Sequence, residues 1–396
     1  MLISAREAVR RLGVKPATLY AYVSRGLIRS TVTPGSRERS YYAVDVERLK
    51  RGRRKGRRAG TPPPSYDSFA PVLDTSLCLI EDGRLHYRGI DAIELAEKAN
   101  LEDVAAILWG IGKPTSLPPK PSLPVDFPTW LGELSSDTTP LERAMSILVC
   151  MATDDVAAFD TSPPVVARVG QRLIWALAAS LTRKLPGALP VHEQLARAWR
   201  LDAAGADLIR RCLVLSADHE LNPSTYVARC VASTGATPYA IVLAALCSFS
   251  GPRHGGHSHK VEEMLGELVG AKDVKAGLRE RWRRGERLPG FGHPLYPNGD
   301  PRAHAILDAI RRHLPKRQVD RIFKIADEEF ALSGRAPQVD YGLAATSVLL
   351  GLPRGSAQGL LLVGRTVGWI AHAIEQYTAG VIIRPRARYV GALPVG

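Results

Sequence analysis

The stretch that decides the fold is Gly251-Pro252-Arg253-His254-Gly255-Gly256-His257-Ser258-His259. Before it, Thr237-Pro238 opens an apolar run, Tyr239 to Phe249. That run predicts a helix with Thr237 as its cap and Pro238 at the first helical position. Gly251-Pro252 stops it. After the stretch, Val261 to Val269 carries a second amphipathic pattern. His254 is therefore expected in a tight turn between two helices. Gly255 and Gly256 have no Cβ, so a ligand can approach the backbone there. The N–H groups opening the next helix favour negative charge. A plain glycine-rich loop with surface histidines is the alternative. A metal reading is set aside: His254, His257 and His259 are adjacent, but no cysteine lies near, Lys260 follows directly, and a site needs convergent ligands.

Outward from this stretch, other polar segments interrupt helical patterns. Ala203–Leu215 predicts a helix running into Asp218-His219-Glu220-Leu221-Asn222-Pro223-Ser224, a pocket wall or a capping turn. Leu288-Pro289-Gly290-Phe291-Gly292-His293 is a loop by its Gly and Pro content and again sets a histidine on unhindered backbone. Val339-Asp340 places an acid just before an apolar helix, Leu343 to Leu350. Arg365 lies in a helical run and Arg384 near the C-terminus. Leu141–Ala152, Val165–Thr182 and His192–Trp199 are further helical patterns, whereas Leu79–Ile90 reads as a small hairpin around Asp82-Gly83. The body is mainly α, a large helical bundle with short turns.

The first sixty residues differ. The 396-residue chain carries a net charge of +14, and residues 1–60 hold 16 Lys and Arg against 4 Asp and Glu, a surplus of +12. Such a piece beside a near-neutral body suggests a polyanion partner for that piece alone. Ser4 to Glu7 fits a capping box, Gly13 ends a first short helix, and Pro16 starts a second with Leu19 and Val23 buried. Thr31 to Ser36 reads as a wing. Lys15, Thr18, Tyr20 and Tyr22 are candidates for a major groove, and Arg25, Arg29, Arg37 and Arg39 for phosphates. A solvated basic surface on a structural domain is the alternative. Residues 51–75, basic and Pro-rich, read as a linker.

The five cysteines are widely spaced without a CxxC and read as reduced thiols, mostly buried. The N-terminus lacks the apolar core of a signal peptide, and the longest apolar run is too short to span a bilayer. A soluble cytoplasmic protein, with no membrane partner, is expected.

Thr18-Leu19-Tyr20-Ala21-Tyr22, Gly26-Leu27-Ile28 and Arg39 to Leu49 resemble the winged helix-turn-helix of MerR-type regulators, although Tyr20 stands where that family usually has Arg. Asp218-His219-Glu220, Gly251 to Gly256, Gly290 to His293 with Asp300-Pro301-Arg302, Val339-Asp340, Arg365 and Arg384-Pro385, in that order, resemble the citrate synthase family across about residues 76–391. The expected architecture is a winged helix-turn-helix domain (1–50), the linker, and an all-α synthase-like domain with a small subdomain at roughly 257–345.

The resemblance implies condensation of acetyl-CoA with oxaloacetate, the reaction that feeds the tricarboxylic acid cycle. Asp340 would be the general base, His254 the donor to the thioester oxygen, and His293 the group polarising the ketone. His219, Arg302 and Arg365 would hold carboxylates. Arg384 would come from a partner subunit, implying a homodimer. No metal and no permanently bound cofactor is implied; coenzyme A thioester is a co-substrate. The family often has Ala-Asn after His-Gly-Gly, where this chain has His257-Ser258, and Arg-Val-Tyr after the second histidine, where it has Pro294-Leu295-Tyr296. Arg281, Arg283, Arg284 and Arg287 are alternative contacts for the coenzyme phosphates. A metabolite-sensing regulator on the synthase fold, a 2-methylcitrate synthase and a citryl-CoA lyase remain open beside the citrate synthase reading.

Overall fold

The computed structural model describes residues 2–24, 28–32, 39–43, 45–46, 73–112, 122–385, 387 and 391. Arg25, Arg37, the wing tip and most of the linker lie outside them. The chain divides into two units, Met1–Val72 and Leu73–Gly396.

In the first unit, the Ser4 hydroxyl accepts the Glu7 N–H and caps the helix Ala5–Leu12, which Gly13 ends in the left-handed conformation. The reciprocal half of the box is replaced: the Glu7 carboxylate turns to Arg10 and Arg11. A second helix, Pro16–Ser24, follows. Strands β1 (Leu2–Ser4), β2 (Ser30–Val32) and β3 (Arg39–Tyr42) form an antiparallel sheet in the order β1-β3-β2. Ile3, Ala8, Leu12, Leu19, Ile28, Tyr41 and Val46 close a small core between sheet and helices.

The second unit opens with β4 (Cys78–Glu81), β5 (Arg84–Tyr87) and β6 (Ile90–Asp91), paired antiparallel. Asp82 and Gly83 both take positive φ, the two-residue turn that Asp-Gly favours. Helices make up nearly all the rest. The helix Ser356–Ala379 is mostly apolar and is buried along most of its length. It packs against Leu101–Trp109, Pro163–Thr182, Ala203–Ser216, Pro223–Ala232, Pro238–Phe249 and Val339–Leu349. Two glycines allow a close crossing with Ala203–Ser216. A Cβ on Gly364 would lie 2.7 Å from the Leu213 carbonyl oxygen, and one on Gly368 would lie 2.5 Å from that of Ala217. The Gly368 N–H instead donates to Ala217 at 3.0 Å.

A second group of helices, Gly256–Gly270, Val274–Arg283, Pro301–His313, Lys316–Ser333 and Val339–Leu349, packs together. One buried carboxylate joins this group to the central helix. Glu262 accepts the Ser347 hydroxyl at 2.5 Å, the Gly355 N–H at 2.7 Å and the Ala357 N–H at 3.2 Å. It thereby caps Ser356–Ala379 from a neighbouring helix.

The boundaries adjust two expectations. The helix after His254 begins at Gly256, so His257, Ser258 and His259 lie on its first turn. The helix expected from Leu343 begins at Val339, which puts Asp340 inside its first turn. All five cysteines are free; Cys78 and Cys212 are buried, Cys150 and Cys230 partly so, and Cys247 is exposed, so fewer are buried than expected.

Candidate functional site

The helix Pro238–Phe249 begins as expected, with Thr237 accepting the Ala240 N–H. The turn after it is closed by His254 N–H donating to Gly251 O at 2.9 Å. Both glycines serve packing rather than ligand approach. A Cβ on Gly255 would lie 2.3 Å from the Phe249 ring, and one on Gly256 would lie 2.7 Å from the Ser250 carbonyl oxygen. The tight turn sets the His254 ring edge-on to Phe249 at 5.5 Å.

His254 Nε2 lies 2.7 Å from Ser224 Oγ. Ser224 is fully buried. Its hydroxyl donates to Asn222 Oδ1 at 2.8 Å and accepts Trp369 Nε1–H at 3.2 Å. Asn222 also caps the helix Pro223–Ala232 by accepting the Thr225 N–H. Burial, and then the Arg365 charge, push the His254 pKa down to about 4, so the ring is neutral near pH 7.

His219 is buried, with Nε2 3.0 Å from Tyr296 Oη. The His293 ring stands perpendicular to it at 5.2 Å and 5.1 Å from the Tyr296 ring. Burial and the Arg302 and Arg365 charges drive the His219 pKa well below its usual value. Burial and Arg302 lower that of His293, with Asp300 and Asp340 opposing. The Leu295 N–H donates to His293 Nδ1 at 3.2 Å, which leaves the proton of the neutral ring on Nε2.

The His293 loop is tied to the helix bearing Asp340. Gly290 and Gly292 take positive φ, at 88° and 78°. The Gly292 N–H donates to Ala336 O at 2.8 Å, and Gln338 N–H to Gly290 O at 2.9 Å. Buried Asp300 grips Arg302 through two contacts, Nε to Oδ1 at 3.0 Å and Nη2 to Oδ2 at 2.8 Å. Its Oδ2 also accepts the Val339 N–H at 3.0 Å, one residue before Asp340. Asp340 is half-buried, and its Oδ1 accepts the hydroxyl of Ser258.

Arg365 is buried, and its Nε–H donates to Ser216 O at 2.9 Å. Burial lowers its pKa and Arg302 does the same, while Asp218 opposes. Arg302 also meets a burial cost, but Asp300 more than offsets it and raises its pKa. Two guanidiniums, that of Arg302 paired with Asp300, thus lie in one polar cluster with three weakly basic imidazoles.

The structure thus gathers His219, His254, His293, Arg302, Asp340 and Arg365. Arg384 is exposed in the segment after the last helix, and no contact among the described residues joins it to this cluster. Arg281 pairs with Glu267 and Glu286, and Arg284 with Glu286, so neither guanidinium is uncommitted; Arg287 is exposed. Ser224, Trp369, Tyr296 and Ser258 were not picked out by sequence. The signal for Ser224 was Asn222-Pro223, an N-cap followed by proline that fixes a first helical turn facing the histidines.

In the first unit, Lys15, Tyr20 and Arg39 are exposed and Thr18 is partly so. Tyr22 is likewise partly buried and packs in part against the small core. Arg29 is engaged by Asp45 at 2.9 and 3.1 Å and stacks over Tyr42.

A mostly helical fold with a buried His/Arg cluster and an acid on a helix N-terminus defines a known class of enzyme. Residues 68–386 match the family described as "Citrate synthase, C-terminal domain", and the chain belongs to the citrate synthase family. Residues 3–54 match "MerR HTH family regulatory protein". Among curated relatives, "Citrate synthase 2" of Bacillus subtilis is 28% identical over 80% of this chain and 93% of its own length. The citrate synthase of Haloferax volcanii is 29% identical over 81% and 93%. "2-methylcitrate synthase 1" of Corynebacterium glutamicum is 26% identical over 82% and 92%. The crystal structure of citrate synthase from Thermotoga maritima aligns with a TM-score of 0.69 at 27% identity, covering 82% of this chain and 95% of that one. The chain is an enzyme of this class carrying a MerR-type helix-turn-helix region. Among the described residues, no helix is long and apolar enough to cross a membrane.

Proposed function

We propose that the Leu73–Gly396 unit condenses acetyl-CoA with oxaloacetate, releasing citrate and coenzyme A. The observation that supports this most is the neutral His254, held on buried Ser224 in the same cluster as His293, whose loop is tied to the helix bearing Asp340.

Asp340 takes a methyl proton from the thioester, and the electron pair moves toward the thioester oxygen. His254 donates a hydrogen bond to that oxygen. A neutral ring does so from Nδ1 when Ser224 turns its O–H toward Nε2; Asn222 Oδ1 then keeps the Thr225 N–H. The enol carbon attacks the ketone carbon. His293, carrying its proton on Nε2, donates a hydrogen bond to the ketone oxygen as negative charge develops there, and a proton from solvent completes the hydroxyl. Water then cleaves the citryl thioester, giving citrate and the free thiol. His219, Arg302 and Arg365 hold the carboxylates of the keto acid. A general acid–base pair contributes on the order of 10²–10⁴ in rate.

In the same reading, Arg384 completes the site of a second copy, so the working unit is a homodimer. A small subdomain at roughly 257–345 closes on the larger one, residues 51–75 are a linker, and the protein acts in the cytoplasm. Residues 1–60 bind duplex DNA, with Lys15, Thr18, Tyr20 and Tyr22 in the groove and Arg25, Arg37 and Arg39 on phosphates. The test is thiol release from purified protein across acyl-CoA and keto-acid pairs. Release with acetyl-CoA and oxaloacetate, lost in Asp340→Ala, is the expected result. A preference for propionyl-CoA would assign 2-methylcitrate synthesis. Ligand binding with no thiol release would make the protein a metabolite-sensing regulator.

A further inference from the structure

Resting on that reading, we infer that Ser258 positions the Asp340 carboxylate for proton abstraction. Ser258 is fully buried in the first turn of the helix Gly256–Gly270, four residues after His254. Its hydroxyl donates to Asp340 Oδ1, so that oxygen is engaged and Oδ2 is the one that meets the methyl proton. The preceding residue, His257, accepts the Gly290 N–H at 3.1 Å through Nε2, at the start of the His293 loop. One helical turn therefore carries a contact to each of the two other reacting segments and is continuous with His254 itself. These two contacts come from the pair His257-Ser258 that stands where the family often has Ala-Asn.

The physical reason is geometric. A carboxylate on the first turn of a helix rotates about χ1 and χ2, and a single fixed hydrogen bond selects one rotamer. A serine hydroxyl on a rigid helix, with no free chain to reorder, does this with one donor. Ser258 acts through Asp340 and does not touch the substrate, so it is a positioning residue.

The experiment compares full-length wild type with Ser258→Ala, Ser258→Thr and Asp340→Ala in thiol release, using acetyl-CoA and its trideuteromethyl form. In Ser258→Ala, kcat is expected to fall by about 10–100-fold, with KM for oxaloacetate changed by less than about twofold. The isotope effect on kcat is expected to rise as methyl deprotonation becomes more limiting. Ser258→Thr, which keeps the hydroxyl, restores kcat to within about threefold of wild type. An active wild type whose Ser258→Ala variant keeps its kcat overturns the inference alone. So does a fall in kcat with an unchanged isotope effect, which would mean only a smaller fraction of folded enzyme. A wild type that releases no thiol with any pair defeats the function reading instead, and this inference with it.

Discussion

The two units use charge in opposite ways. In Met1–Val72, Lys15 and Arg39 stand in solvent around a small apolar core. In Leu73–Gly396, Arg302 and Arg365 are buried, each tied by protein acceptors. Solvated cations attract a polyanion through long-range, salt-screened forces. Buried cations act over short distances, in a low dielectric, on a ligand that fits. The same residue type therefore marks a surface in one unit and a pocket in the other, and burial decides which.

The contrast breaks first at Asp340. Asp340→Ala is expected to lower thiol release by about 10³-fold or more with little change in thermal unfolding; retained turnover would remove the carboxylate from the chemistry. Ser224→Ala comes next. It strips the partner that sets the His254 tautomer and is expected to reduce kcat by about 10–100-fold. If KM rises while kcat holds, Ser224 serves binding instead.

On the other side, duplex DNA binding by the full chain is expected to weaken by about tenfold or more between 50 and 200 mM salt, and to disappear when residues 1–60 are removed. Thiol release should change little over the same salt range, and equal salt sensitivity of the two activities would erase the distinction. The smallest effect concerns pH. Burial holds His254 near 4 and also lowers His219 and His293. These groups bind more protons unfolded than folded, so their stabilisation is present above about pH 6.5 and declines as pH falls toward the folded values. His254 alone should make urea unfolding at pH 7 and at pH 5 differ by on the order of 2 kcal/mol, with His219 and His293 adding in the same direction. A flat profile would mean the rings are solvated.

Much of this arrangement was legible in the sequence where local chemistry dictates structure. Thr237-Pro238 marks a helix start and Asp82-Gly83 a hairpin turn because few residues satisfy those backbones. The histidines on Gly-rich loops were visible for the same reason. The beginning of the helix at Gly256 was hidden, because His257, Ser258 and His259 interrupt the apolar period that first returns at Val261. Arg302 and Arg365 were named through family resemblance; their burial follows from Asp300 and Ser216, which no periodicity points to. Ser224 was read only as part of a polar stretch and Ser258 only as a departure from the family pattern, because a serine's role shows only once its partner is found. Arg384 was named by resemblance alone, and the single chain leaves it exposed.

Glu262 carries a consequence for how this interior can move. The segments it fastens bear His254's neighbouring helix, the base-bearing helix and the beginning of the helix with Arg365 and Trp369. A closure of residues 257–345 that separated these segments at Glu262 would tear a carboxylate from one to three donors in a dry environment. That movement must therefore turn about Glu262, with the three segments held together there while their far ends swing.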